Sequence, residues 1–159
     1  MKISNWLQLI LAITLCQAAG VIGSFYAVQA IPEWYATLQK PIFNPPNWIF
    51  GPVWLALYFM MALALYLIWQ KGWSQNKIRL ATGVFLVQLV LNALWSIIFF
   101  GMRNPSLAFA EIILLWISIL VSIVMFGLID RRASYLLMPY GLWVSFAAIL
   151  NFYLWQLNR

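Results

Sequence analysis

Aromatic rings and a few amides are the groups in this sequence able to do chemistry, because the usual catalytic side chains are missing. There is no histidine, one cysteine and three acids, against ten tryptophans, seven tyrosines and eleven phenylalanines. Lack of histidine removes the commonest general base and the commonest metal ligand together. One Cys and three carboxylates do not make a zinc site or a hydrolytic triad. The sequence therefore offers no metal site and no firm catalytic group. What it offers is binding of an apolar molecule.

The polar exceptions inside apolar stretches fall on two stripes. Gln88, Asn92, Trp95 and Phe99 stand at i, i+4, i+7 and i+11, which is one helical face. Tyr140, Trp143, Ala147 and Asn151 stand at i, i+3, i+7 and i+11 on another. Two rings, a small residue and an amide on one stripe suit a slot for a flat apolar ligand, and equally suit close helix packing. Interhelical amide bonds of about 0.6 kcal/mol are the plain alternative for Gln88 and Asn92. Trp54 and Tyr58 lie one turn apart, directly after Gly51-Pro52.

The elements that must position these residues follow from the charges. Of 159 residues 65% are hydrophobic and 8% charged, where soluble domains carry about 25% charged. The outer surface therefore faces lipid, and one domain spans residues 1–159. Nothing is charged between Lys2 and Glu33, Lys40 and Lys71, or Arg79 and Arg103; 104–129 holds only Glu111, and 133–158 none. Each stretch exceeds the roughly 20 residues that cross a bilayer as helix, so the fold class is an all-α bundle of five transmembrane helices near 5–28, 47–69, 79–101, 105–128 and 134–156. The first stretch is longer than a secretory h-region of about 7–15 residues and reads as a retained helix.

Punctuation agrees. Asn104-Pro105 reads as N-cap and N1 of the fourth helix, Pro45-Pro46 precede the second, and Gly51-Pro52 should bend or loosen it toward protein or a cavity. Lys2, Lys71, Lys77, Arg79, Arg131 and Arg132 fall on one side and Lys40, Arg103 and Arg159 on the other. That bias places the N-terminus in the cytoplasm of a bacterial membrane. Basic residues scattered between apolar runs do not form a nucleic-acid patch. Cys16, inside an apolar run, excludes an internal disulfide.

The segment from Gln29 to Asn47 reads as a long first loop with Trp34, Tyr35, Phe43 and four prolines. It is either an interfacial belt or a stiff lid over one end of the bundle. A belt explains Trp6, Trp69, Trp73 and Trp155; it does not explain the deeper Trp54, Trp95, Trp116 and Trp143. Indoles supply broad faces and one N–H each, which suits a planar, acidic-tailed ligand. Glu111 is expected to reach the interface or pair with Arg103, the alternative being a proton- or ligand-coupled role. Ala19, Gly20, Gly23 and Ser24 form small-x-x-x-small pairs for close helix approach, within or between protomers.

Across nearly the whole chain the aromatic pattern resembles the tryptophan-rich sensory protein family (TspO/MBR), also called the translocator protein or peripheral-type benzodiazepine receptor family. The resemblance is carried by Trp34-Tyr35, Lys40-Pro41, Pro45-Pro46, Pro52-Val53-Trp54 and Leu57-Tyr58. It continues through Gln88-Leu89, Leu91-Asn92, Trp95 and Phe99-Phe100-Gly101 to Pro139-Tyr140, Trp143, Phe146-Ala147, Leu150-Asn151 and Trp155. It implies a five-helix bundle, usually a homodimer, that binds porphyrins and other tetrapyrroles, isoquinoline or benzodiazepine drugs and, in animals, cholesterol. By position the family pocket maps onto Tyr35, Trp54, Asn92, Trp143 and Ala147, with Tyr58, Phe99 and Asn151 as neighbours. Some bacterial members of the family degrade protoporphyrin in light, and the tryptophans matching Trp54 and Trp143 are implicated.

Two family features transfer poorly. The cholesterol pattern would be Leu150, Tyr153 and Arg159, at the loosest spacing, and the longer basic tail of animal members is not present after Arg159. The expected partners are a tetrapyrrole or other hydrophobic small molecule, membrane lipid and a second copy, with no required cofactor and no nucleic acid. Without His, a porphyrin is expected to be held by stacking and shape rather than through iron. Sensing, light-driven degradation and transport remain the three functions to separate.

Overall fold

A computed structural model describes residues 5–159; Lys2, used above to orient the chain, lies outside the described residues. Five helices long and apolar enough to cross a membrane are present among the described residues. Helix α1 (Asn5–Ala30) runs on through a π-helical turn at Ile31–Tyr35, and α2 covers Asn47–Trp69. Helix α3 (Asn76–Ser96) likewise ends in a π-helical turn at Ile97–Gly101, followed by α4 (Pro105–Gly127) and α5 (Arg131–Leu157). At 1.5 Å per residue, 23 residues reach about 34 Å, enough for the hydrocarbon layer.

The boundaries differ from the charge-based expectation in one consequential place. The first helix does not stop near residue 28; it continues to Tyr35, so the stretch from Gln29 to Asn47 is helical for its first third. Charges and prolines mark where a chain leaves the membrane, not where its helix ends. Pro32 sits in the first turn of the π segment, where the changed register accommodates a residue without an N–H. Helices α3 and α5 begin three residues earlier than the apolar runs for the same reason, their first turns being polar and outside the lipid. Pro52 and Pro139 both lie inside continuous helices.

The N-cap expected for α4 is present, and α5 has one that the sequence reading did not name. Asn104 Oδ1 accepts from the Leu107 N–H at 3.0 Å with Pro105 next to it, and Asp130 caps α5 by accepting from the Arg132 N–H at 2.9 Å. Asp130 also pairs with Lys71 Nζ at 2.6 Å, joining the α2–α3 and α4–α5 links at one end of the bundle. The opposite end carries residues 38–46 and the end of α5, where the Asn158 side chain accepts from the Gln39 N–H and donates to the Gln39 carbonyl, both at 2.9 Å. The links bearing Lys71 and Asp130 and the segment bearing Lys40 therefore lie at opposite ends of the bundle.

The helices close a ring in the order α1, α2, α5, α4, α3 and back to α1. Close approach of α1 depends on its small residues. A Cβ on Gly20 would stand 2.6 Å from the Tyr58 ring of α2, and one on Gly23 would stand 2.8 Å from Ser96 Oγ of α3. The small-residue stripe thus serves packing inside the protomer. At the end marked by Lys71 and Asp130 the ring is filled by Met61, Leu65, Ile68, Ile119 and the stacked Phe85–Phe126 pair, all buried. At the other end it is hollow.

Candidate ligand-binding site

The hollow end encloses a cavity of about 610 Å³ that all five helices line. Tyr35, Trp54, Tyr58 and Asn92 are in its wall, and so are Phe99, Trp143, Ala147 and Asn151. The eight positions mapped onto the family pocket thus line one space, whereas Gln88 and Tyr140, the first residues of the two stripes, lie outside its wall. Among the described residues no charged side chain lines the cavity.

The roof is built from the end of α1 and the following loop. Tyr35 is buried and its hydroxyl donates to Asn44 Oδ1 at 2.7 Å. Lys40 Nζ reaches the carbonyls of Ala36 and Leu38 at 3.2 Å each and lies 4.9 Å from the Tyr35 ring centroid. Phe43 meets Tyr153 edge-on at 5.3 Å. Residues 38–46 therefore cover the end of the bundle, as the lid reading expects. Beneath them Phe99 stacks on Trp95 at 5.0 Å and meets Trp34 edge-on at 5.5 Å.

The floor is a polar chain of fixed direction. Tyr58 donates its hydroxyl to Asn92 Oδ1, Asn92 Nδ2 donates to the Tyr140 hydroxyl at 3.0 Å, and Tyr140 donates to Gln88 Oε1 at 2.8 Å. Trp54 stacks on Tyr58 at 5.4 Å and meets Tyr140 edge-on at 6.1 Å. Asn151 Oδ1 accepts from Trp95 Nε1 at 3.0 Å while its Nδ2 donates to the Pro105 carbonyl at 2.8 Å. Buried amides in an apolar medium need partners; Asn92 finds two tyrosine hydroxyls and Asn151 an indole and a carbonyl, while Gln88 Nε2 is left without one. The Trp143 indole N–H is buried without a partner.

Some site residues were not separable from packing in the sequence. Trp95 was visible beside Phe99 on the α3 stripe, yet its bond to Asn151 depends on a helix distant in sequence. Gly20 and Ser24 of α1 and Ile31 of the π-helical turn also line the cavity; the small-residue stripe was the only signal for the first two, and Ile31 had none. Trp116, deep in the membrane like Trp54, donates to Ser145 at 2.8 Å between α4 and α5 and is not in the cavity wall.

The expectation for Glu111 is corrected. Its carboxyl neither reaches the interface nor pairs with Arg103; both oxygens are buried without a hydrogen-bond partner. Ala108, Glu111, Ile112 and Leu115 share one face of α4, all buried, which turns the side chain inward. Arg103, in the link with φ 51°, reaches Glu33 at 3.3 Å instead. Among the described residues no three His, Cys, Asp or Glu side chains gather as a metal site would need.

Five apolar helices ringed about an aromatic cavity define a multi-pass helical membrane protein hollow at one end. The TspO/MBR family profile matches residues 12–156. The chain is similar to the Tryptophan-rich protein TspO of Archaeoglobus fulgidus, 43% identical over 155 residues covering 97% of this chain and 99% of the relative. It is 44% identical over 152 residues to that of Chlorobaculum tepidum, covering 96% of each. It is also 35% identical over 148 residues to the Translocator protein of Homo sapiens, covering 92% of this chain and 88% of the relative. The chain belongs to the TspO/MBR family.

Proposed function

We propose that this chain binds a tetrapyrrole in the aromatic cavity beneath its first loop and acts as a membrane sensory or translocator protein. The observation that carries the reading is a cavity of about 610 Å³ walled by Trp54, Trp143 and Phe99 and free of charge. That volume lies inside the range of about 300–1,000 Å³ usual for small-molecule sites, and indole faces suit a large planar ring. With Asn92 and Asn151 bonded to protein, the ring is held by stacking and shape, and metal-free protoporphyrin or an open-chain bilin should bind about as well as haem.

In this reading the N-terminal end, with Lys71, Lys77, Arg79, Arg131 and Arg132, faces the cytoplasm of a bacterial membrane, and two copies pair through lipid-facing surface. The test is quenching of tryptophan fluorescence by protoporphyrin IX in purified protein. Saturable quenching weakened by Trp143→Ala supports the reading; equal quenching in both proteins would remove the pigment from this cavity.

A second reading is light-dependent breakdown of the bound pigment. It is favoured by the indoles of Trp54 and Trp143 in one cavity wall, Trp54 being stacked on a tyrosine. Loss of pigment absorbance under illumination, abolished by Trp54→Phe or Trp143→Phe, would select it over binding alone.

A further inference from the structure

The roof of the cavity is shut but its side is not. Over the end of the bundle, Asn158 holds Gln39 by two hydrogen bonds, Tyr35 holds Asn44, and Phe43 packs on Tyr153. Between α1 and α2 the wall is of another kind. Val21 and Val28 of α1 and Trp48 and Leu55 of α2 line the cavity, yet they are 68%, 70%, 73% and 63% exposed. A side chain that borders a cavity and also faces outward stands at an opening.

The opening has two rails of matching spacing. Val21, Ser24 and Val28 stand at i, i+3 and i+7 on α1; Trp48, Gly51 and Leu55 stand at i, i+3 and i+7 on α2. Gly51 borders the cavity with nothing within 4 Å of the place where its Cβ would be. Ser24 Oγ donates to the Gly20 carbonyl of its own helix at 2.7 Å, which leaves the rail without a free hydroxyl proton. The lower limit of the gap is Gly20, where α1 closes on the Tyr58 ring, and the contact of Gly23 with Ser96 seals the α1–α3 side. The gap is thus a bounded, uncharged window in the part of the bundle that lipid surrounds.

The geometry points to lateral exchange: the occupant of the cavity enters and leaves between α1 and α2 from the hydrocarbon of the bilayer, without passing the latched loop. The ligand class is therefore an amphiphile that partitions into lipid, planar enough to pass two helix rails. This rests on the reading of the cavity as a binding site. An uncharged rail suits the apolar ring of such an amphiphile, whereas a small, fully hydrated anion would have to shed its hydration there with nothing to replace it.

The experiment uses the full chain in phosphatidylcholine vesicles with protoporphyrin IX as probe, following tryptophan quenching by stopped flow. Gly51→Leu and Val28→Trp narrow the window, whereas Asn158→Ala loosens the latch. The expected result is entry and release slowed about tenfold by either window variant, with Asn158→Ala within about twofold of wild type. The wild-type entry rate should also follow the mole fraction of pigment in lipid, a readout that needs no variant. Acceleration by Asn158→Ala with wild-type rates in both window variants, or an entry rate set by the aqueous pigment concentration, would overturn the lateral route. Failure of the binding reading itself shows differently, as no saturable quenching at equilibrium in wild type, and removes the route with it.

Discussion

Trp95 of α3 donates its indole N–H to Asn151 Oδ1 of α5 at 3.0 Å, across 56 positions of sequence. The same amide donates to the Pro105 carbonyl in the first turn of α4 at 2.8 Å. One side chain thereby ties three helices together at the wall of the cavity. Asn151 lines that space with its oxygen and one N–H already engaged, so its contribution there is chiefly shape. Asn92 is alike, its amide held between Tyr58 and Tyr140.

Asn151→Ala should lower stability by about 1–3 kcal/mol, because it strands the Trp95 N–H and the Pro105 carbonyl in an apolar setting. For a chain of this size each kcal/mol shifts the melting midpoint by about 2–4 °C. Adding Trp95→Phe removes the stranded donor, so the double variant should melt higher than the sum of the two single losses implies. Thermal unfolding of the four proteins in one detergent checks this. Strict additivity would mean that the bond contributes nothing.

Gly20 and Gly51 should respond in opposite directions to alanine. At Gly20 the new methyl would meet the Tyr58 ring at 2.6 Å, a contact that forces the ring or the helix to move. Overpacking of this kind costs about 1–3 kcal/mol, and the displaced ring takes the Tyr58–Asn92 bond with it. At Gly51 the methyl meets nothing, and replacing an in-helix glycine gains about 0.5–1 kcal/mol. Melting midpoints of the two variants should bracket wild type; a stable Gly20→Ala would contradict the close approach of α1 and α2.

Acid should erase the link between the α2–α3 and α4–α5 connections. The hydrogen bond from Lys71, with the Arg132 N–H assisting, holds the Asp130 carboxyl below the ordinary carboxylate range. A carboxyl depressed in the folded state contributes stability that is complete above its unfolded pKa, about 3.9, and is lost as pH falls through the folded value. Asp130→Asn should therefore melt below wild type at neutral pH, and the difference should shrink as pH is lowered past 4. A gap independent of pH would assign the loss to the cap rather than to the ion pair.

Much of the fold was legible because lipid imposes a simple rule. A stretch of about twenty residues without charge can cross the bilayer only as helix, and Asn104-Pro105 marked the start of α4 to the residue. The end of α1 was not legible. Glu33 and Pro32 break the apolar run, but a helix outside the membrane tolerates both, and a π-turn absorbs the proline. Glu111 was misread for a related reason: its distance from the helix end suggests escape to water, while the face it shares with Ala108, Ile112 and Leu115 turns it inward.

The sequence by itself determined that this chain spans a membrane five times, which ends of its helices lie together, and that aromatic and amide residues gather on inward stripes. Those follow from length, charge spacing and helical period, all local properties of the chain. Only the tertiary structure decided which amides the protein itself engages, where the bundle is solid and where hollow, and that the cavity is roofed yet open on its flank. These depend on the ring order of the helices and on contacts as specific as Gly20 against Tyr58. Periodicity assigns a residue to a face; it does not say which neighbour that face will meet.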